Sequence, residues 1–333
     1  MTKATLEQWK SLYKEADRLK IKKPWKLLPS DFLIALQMEN YREPFYISIM
    51  GQLESAPGIG MAYGRKGFRD LLWVMESHKY PVSPFYVIGS VNSCVCYYGN
   101  EEDLDLDQKK RIRDLGLRYK EDHEWTYFLS FEPRYIPVDP DRKQVKEYTE
   151  VLMHLNDIMD HIQEDEDFLR DILKADMLKV TQTNHGFRYE KADFPFDTTS
   201  FFSLELDDKT IEELKDYQRT DMELVIDLHY FFFPIEDPDY DKPLNPLMIL
   251  AYDLKGDQIL AGDLLDIDED EMDAVADVFL QTIQRFGLPA KLFARNPNIL
   301  YGLKNVCDLL DIKVIVDPLE ELDDIYEHIQ DAM

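Results

Sequence analysis

Five polar residues near the end of the chain have the types and spacing that a ligand or metal site needs: Asp253, Asp263, Arg295, Asn296 and Asp317. Asp253, Arg295 and Asp317 each close a strand-like run, and open α/β sheets place ligands at the carboxyl ends of their strands. Metal-dependent phosphodiester hydrolases of the ribonuclease H type need several carboxylates converging there around the ions. The register of the hairpin decides whether Asp253 and Asp263 meet. A two-residue turn at Gly256-Asp257 pairs Asp253 with Leu260 and sends Asp263 to the other face, whereas a three-residue turn lets both acids share a face. Asn296 and Asp317 also have a structural use as helix N-caps ahead of Pro297 and Pro318. Arg295 brings a cation where a metal site wants a carboxylate. The set is a pocket candidate, with no residue assigned to catalysis, a metal or a cofactor.

Other groupings offer less chemistry. The stretch Gly58-Ile59-Gly60-Met61-Ala62-Tyr63-Gly64-Arg65-Lys66-Gly67 holds four of the 13 glycines. A dinucleotide fingerprint would need glycine at Tyr63, and a phosphate loop would need serine or threonine at Gly67. Gly64-Arg65-Lys66-Gly67 has the basic middle of a KH-type loop, but it joins a strand to a helix, so it is read as a structural turn. Glu150, His154, Asp157 and His161 line one helical face opposite the apolar seam, which reads as solvated surface rather than a metal site. Cys94 and Cys96 alternate along a strand as core thiols. There is no His-Glu-x-x-His, no paired Cys-x-x-Cys and no Gly-x-Ser-x-Gly elbow.

The elements that must position the candidate set occupy the last ninety residues. Leu247–Asp253 and Gln258–Leu264 form a hairpin around Lys255-Gly256-Asp257. Asp268 and Glu271 form a capping box. The helix behind them carries Met272, Val275, Ala276, Phe279, Ile283 and Phe286 on one stripe and stops at Gly287-Leu288-Pro289. Lys291–Arg295 and Ile312–Val316 are strands joined through a helix with buried Leu300, Leu303, Cys307 and Leu310, so they run parallel with a right-handed crossover. A last helix packs Leu322, Ile325, Tyr326 and Ile329. The result is a mixed-sheet ββαβαβα unit with a fold-level resemblance to ribonuclease H.

The rest of the chain predicts an α+β domain over 1–137. Thr5 caps a helix with Trp9, Leu12, Tyr13, Ala16 and Leu19 on one face. Strands follow at 31–38, 44–50 and 59–63, then a helix, a hairpin made of Phe85–Gly89 and Ser93–Tyr98, an acidic loop at 100–107 and a strand at 125–131. Asp139-Pro140 starts the longest helix, with Val145, Tyr148, Leu152, Leu155, Met159 and Ile162 on its seam. The segment 138–176 is read as a connection to a mixed α/β domain over 177–333, in which 177–235 is strands and loops and 237–243 is a linker.

Composition narrows the function classes. Sixty-six acids against 38 bases give a net charge of −28. Such a field repels phosphate backbones and anionic headgroups, so direct nucleic-acid binding and membrane binding are disfavoured. No run of eighteen apolar residues occurs, and Met1-Thr2-Lys3 leads directly into a helix, so neither a membrane span nor a signal peptide is expected. Three cysteines are too few for a disulfide framework, which fits a cytoplasmic protein.

Several stretches together resemble a two-module family of bacterial proteins of unknown function. In the first half these are Tyr46–Gly51, Gly60–Gly64, Leu115–Tyr119, Trp125 and Pro133–Pro137. In the second they are Pro243-Leu244, Asp253, Gly256, Ile259, Leu288–Lys291 and Leu309–Ile312. Asn296 stands where such modules often carry an acid. The resemblance implies a two-module cytosolic bacterial protein and supplies no activity. The expectation is a non-enzymatic protein that binds a basic partner. The alternatives are a degenerate or active metal-dependent nuclease-like hydrolase using Asp253 and Asp263, and an acidic mimic of nucleic acid.

Overall fold

The computed structural model describes residues 2–51, 57–194, 201 and 203–332. The chain opens with α1 (Leu6–Lys22), β1 (Leu33–Gln37), β2 (Phe45–Met50) and β3 (Gly58–Tyr63). Next come α2 (Gly64–Glu76), α3 (Pro84–Gly89), β4 (Ser93–Gly99), α4 (Leu106–Asp114) and β5 (Trp125–Phe131). The middle holds α5 (Arg142–Glu164), α6 (Glu166–Ile172), β6 (Met177–Thr183), β7 (Gly186–Ala192), α7 (Asp208–Lys215) and β8 (Glu223–Tyr230). The end is β9 (Leu247–Asp253), β10 (Gln258–Leu264), α8 (Glu271–Phe286), β11 (Lys291–Ala294), α9 (Pro297–Leu309), β12 (Lys313–Val316) and α10 (Glu321–Ala332). Among the described residues no helix is long and apolar enough to cross a membrane.

Two compact units result. The first is Met1–Leu72, Val91–Glu132 and Pro137–Asp197; the second is Trp73–Ser90, Pro133–Ile136 and Thr198–Met333. The first is a seven-stranded sheet in the order β5-β4-β3-β2-β1-β6-β7. Every pairing is antiparallel except β1 with β6. Its core joins the buried faces of α1 and α5 to the sheet, and all six predicted seam residues of α5 are buried. Asn156 on that helix is fully buried and its amide donates to the Glu15 and Leu152 carbonyls. The expected boundary at 176/177 therefore moves. The segment 138–176 is not a connection but part of this core, and β6 belongs here because its backbone completes the ladder of β1. An apolar seam states that a helix is buried and not which layer buries it.

Local readings shift for physical reasons. The strand expected at Phe85–Gly89 is α3, because Pro84 at the first helical position presets φ and lacks the N–H that helix entry leaves unused. The acidic loop at 100–107 contains a 3₁₀ turn at Glu101–Asp103 and the first residues of α4. The longest helix starts at Asp141, whose carboxylate caps Gln144 N–H at 2.8 Å while the Gln144 side chain returns to Asp141 N–H at 3.0 Å. Asp139 is taken up by Arg111 instead. The Glu150–His161 face is not free surface. His161 stacks on Tyr189 of β7 at 4.6 Å, His154 meets Phe187 edge-on, and Glu150 accepts from the Tyr41 hydroxyl. Gly64 sits at φ +70°, and a Cβ on Gly67 would lie 2.8 Å from the Ala62 Cβ, so this glycine stretch is a close strand-to-helix junction.

The second unit is a five-stranded sheet in the order β10-β9-β8-β11-β12. β8, β9 and β10 are antiparallel neighbours, and β8, β11 and β12 run parallel. The ββαβαβα reading thus lacks its central strand. Within the stretch 177–235, residues 195–200 and 202 lie outside those described, and its most strand-like part is β8 at the middle of this sheet. The predicted linker is the loop of a long hairpin, held by Ile235 pairing with Leu244. One face of the sheet packs under α7, α8 and α9, the other under α10. In α8, Phe286 is exposed rather than buried.

Helix α8 also begins later than its capping-box pattern implies. Residues 266–269 make a turn, with Asp266 N–H donating to the Glu269 carboxylate, and Asp270 is the cap, accepting from Met272 and Asp273 N–H at 2.8 and 3.1 Å. Asp270→Ala is expected to cost about 0.5–2 kcal/mol in urea denaturation. Asp268→Ala should change stability by less than about 0.5 kcal/mol.

Candidate functional site

The parallel register of β11 on β8 pairs Leu292 with Leu224 and Phe293 with Val225, which carries Arg295 alongside Asp227. Both side chains point to the α10 face, where Asp227 is 1% and Arg295 4% exposed. The guanidinium grips the carboxylate through Nε, at 3.1 and 3.0 Å, and through Nη2 at 2.7 Å. Tyr326 from α10 donates its hydroxyl to Asp227 at 3.0 Å, and Arg295 Nη1 reaches Asp323 at 3.2 Å. Burial pulls the Arg295 guanidinium down, but the charge and hydrogen bonds of Asp227 more than offset this and hold its proton more firmly than usual. Burial raises the Asp227 carboxyl, against the opposing pull of Arg295 and Tyr326. His229, two residues on, stacks flat on Tyr326 at 4.0 Å between centroids. Burial first, and then the Arg295 charge, lower its pKa to about 4.

The next residue turns to the other face. Asn296 caps α9 by accepting from Asn298 N–H at 2.9 Å, and its side chain lies beside the Tyr86 hydroxyl. That hydroxyl donates to Glu271 at 2.5 Å. Arg134 completes the group: its Nη2 donates to the Glu269 carbonyl at 3.0 Å and its Nε stands 3.8 Å from Glu271. Burial raises the Glu271 carboxyl, with Tyr86 and Arg134 opposing. This hub draws Tyr86 of α3, the 133–136 segment and the start of α8 together at the carboxyl end of β8.

The other predicted residues do not join either group. Asp253 pairs with Gln258, and a bulge between Ile259 and Ala261 returns Asp263 opposite Ile249. The two acids share a face but stand four residues apart along β9, roughly 13 Å at strand rise. That exceeds what one metal site spans. Because β9 runs against β8, Asp253 lies at the opposite end of the sheet from Arg295 and closes its own turn, accepting from Glu223 and Lys255 N–H at 3.1 Å each. Asp263 is exposed on the edge strand. Asp317 is not the cap of α10, which starts at Glu321; it accepts from Leu319 N–H in a local turn. Among the described residues no group of three or more His, Cys, Asp or Glu is placed to hold a metal ion.

Sequence reasoning missed Asp227, Tyr326, Tyr86 and Arg134. Asp227 carried a signal: an acid inside Leu224-Val225-Ile226-Asp227-Leu228 is a charge in a buried strand, which demands a partner. Cys94, Cys96 and Cys307 are buried free thiols, and burial raises each above its ordinary value.

Two sheets, and a carboxylate neutralised at the centre of the second, define a two-module mixed α+β protein. The chain belongs to the family of the domain of unknown function DUF7309, which residues 9–179 match. Residues 210–330 match a second domain of unknown function, DUF6930. No curated protein matches the chain. Among solved structures it is similar to a chain in a cryo-EM structure of the simian T-cell lymphotropic virus intasome in complex with PP2A regulatory subunit B56 gamma. The identity is 15%, over 36% of this chain and 45% of that one, with a TM-score of 0.24. This chain therefore spans less than half the length of that one.

Two outcomes follow from the central pair. Arg295→Met leaves Asp227 buried with the Tyr326 hydroxyl and the Leu228 backbone as donors but no counter-charge, and should cost about 3–5 kcal/mol in chemical denaturation, while Asp227→Leu/Arg295→Met should recover most of that loss. His229 has a folded pKa of about 4 against an ordinary 6.5, so its contribution is fully present above pH 6.5 and is lost as pH falls towards 4. His229→Gln should flatten the stability–pH curve in that window, by about 3 kcal/mol.

Proposed function

We propose that this chain is a non-catalytic binding protein whose second unit engages a basic protein partner. One observation carries the reading. Asp263, Asp266, Asp268, Glu269, Asp270, Asp273 and Asp277 are all exposed, and among the described residues none has a Lys or Arg within ion-pair distance. Uncompensated carboxylates cost stability through mutual repulsion and steer a cationic surface on approach. The hydrolase alternative has less support. The acids expected to meet are far apart, and Asp227, the buried carboxylate on the central strand, is occupied by a guanidinium.

The test is purification from the native host at low and high salt, beside an Asp268→Lys/Asp273→Lys/Asp277→Lys variant. A companion that the wild type retains at low salt, and that the variant and high salt both release, is the expected result. The variant should fold within about 0.5 kcal/mol of the wild type, since surface substitutions away from caps and ion pairs rarely cost more. A protein that retains no companion at any salt, or that cleaves a phosphodiester with magnesium or manganese and loses this activity on Asp253→Asn or Asp263→Asn, would overturn the reading.

A further inference from the structure

We propose that the outer face of α3 and the stretch after β8 form a docking surface for a basic protein segment bearing an aromatic or branched aliphatic anchor. The proposal rests on the reading above, that the second unit binds a basic partner, and adds where the partner's apolar side chain is held. Phe85 and Ile88 stand three residues apart on the outward face of α3 and are 55% and 42% exposed. Phe233 and Ile235, in the stretch that follows β8, are 47% and 36% exposed. The two segments adjoin, because the Phe85 ring lies 5.4 Å from the ring of Phe232. Single exposed hydrophobics are ordinary, but a cluster drawn from two segments marks an interaction site.

The surface cannot hide itself by a small rotation. The inner face of α3 is locked by Tyr86 and Val87, both buried, and by the Tyr86 bond to Glu271. Gly89 closes onto the Tyr230 ring, where an added Cβ would come within 2.5 Å. Turning Phe85 inward would drive Tyr86 out. Pro84 and Pro234, both exposed, hold the backbone on either side, so ordering this face for a partner costs little.

Charge selects the occupant. Exposed Glu236 directly follows Ile235, and the Tyr86–Glu271 bond sets α3 against the start of α8, with exposed Glu269, Asp270 and Asp273. Arg134, a cation at this junction, is buried and already engaged with the Glu269 carbonyl and Glu271, and Lys242 on the same hairpin loop lies over the Tyr135 ring at 5.4 Å. An apolar face rimmed by acids repels anionic lipid and nucleic acid, and a second copy of this chain would bring the same charge of −28. A peptide with lysines or arginines around one large apolar side chain satisfies both features.

The experiment is selection of a phage-displayed library of random dodecapeptides on the full chain, with Phe85→Ser/Ile88→Ser/Phe233→Ser and the triple-lysine variant as comparisons. The serine changes lie on exposed side chains, and thermal melts alongside the wild type check that they fold. Enriched peptides should be basic with an aromatic or aliphatic anchor, and should bind the serine variant roughly tenfold or more weakly by fluorescence anisotropy, as should versions with the anchor replaced by glycine. Basic peptides indifferent to the serine changes but lost on the triple-lysine variant would overturn this surface and leave the binding reading intact. Selection of neutral or acidic peptides, or no enrichment, would overturn both.

Discussion

The second unit is organised around one ion pair. Asp227 and Arg295 sit opposite each other on the central strand and its parallel neighbour, beneath α10, where an unpaired charge would be strongly destabilising. The pair therefore constrains more than itself. A one-residue slip of β11 would turn Arg295 to the other face and bring Ala294 or Asn296 beside the carboxylate. The Tyr326 hydroxyl extends the constraint to α10, and Asp323 extends it to the surface. An arrangement that needs a guanidinium for its register leaves the most buried acid in the sheet already paired with Arg295 and hydrogen-bonded to Tyr326.

The polar hub on the opposite face follows from the same strand end. Asn296 follows Arg295, and strand alternation sends it across the sheet towards Tyr86 and Glu271. Segments distant in sequence, Trp73–Ser90 and Pro133–Ile136, thereby become parts of the second unit. The hub also holds the start of α8 with its exposed acids outward, while α3 presents phenylalanine and isoleucine. Exposed apolar side chains and exposed acids are thus carried on one framework.

In the first unit the controlling contact is α1 against α5, with Asn156 satisfied by the Glu15 and Leu152 carbonyls inside the apolar layer. The histidines of α5 stack on β7 aromatics, and the glycine stretch closes a strand-to-helix turn.

What the residues determined by themselves was local. The six seam positions of α5, the buried stripe of α9, the Asn296-Pro297 start and the strands of the C-terminal hairpin are all legible, because 3.6- and 2-residue periodicities and cap chemistry act within a few residues. Tertiary structure decided the rest. Whether β6 completes the first sheet, whether β8 enters the middle of the second, and which end of that sheet Asp253 occupies are matters of long-range pairing and strand direction, and no spacing in the chain records them. The five candidate residues could therefore be read as one group. Antiparallel pairing put Asp253 at the far end, the bulge at Leu260 set Asp263 four residues away from it, and side-chain alternation divided Arg295 from Asn296. Of the decisive residues outside the candidate set, Asp227 carries a signal in the sequence, since a charge within an apolar strand must find its counter-charge across the fold.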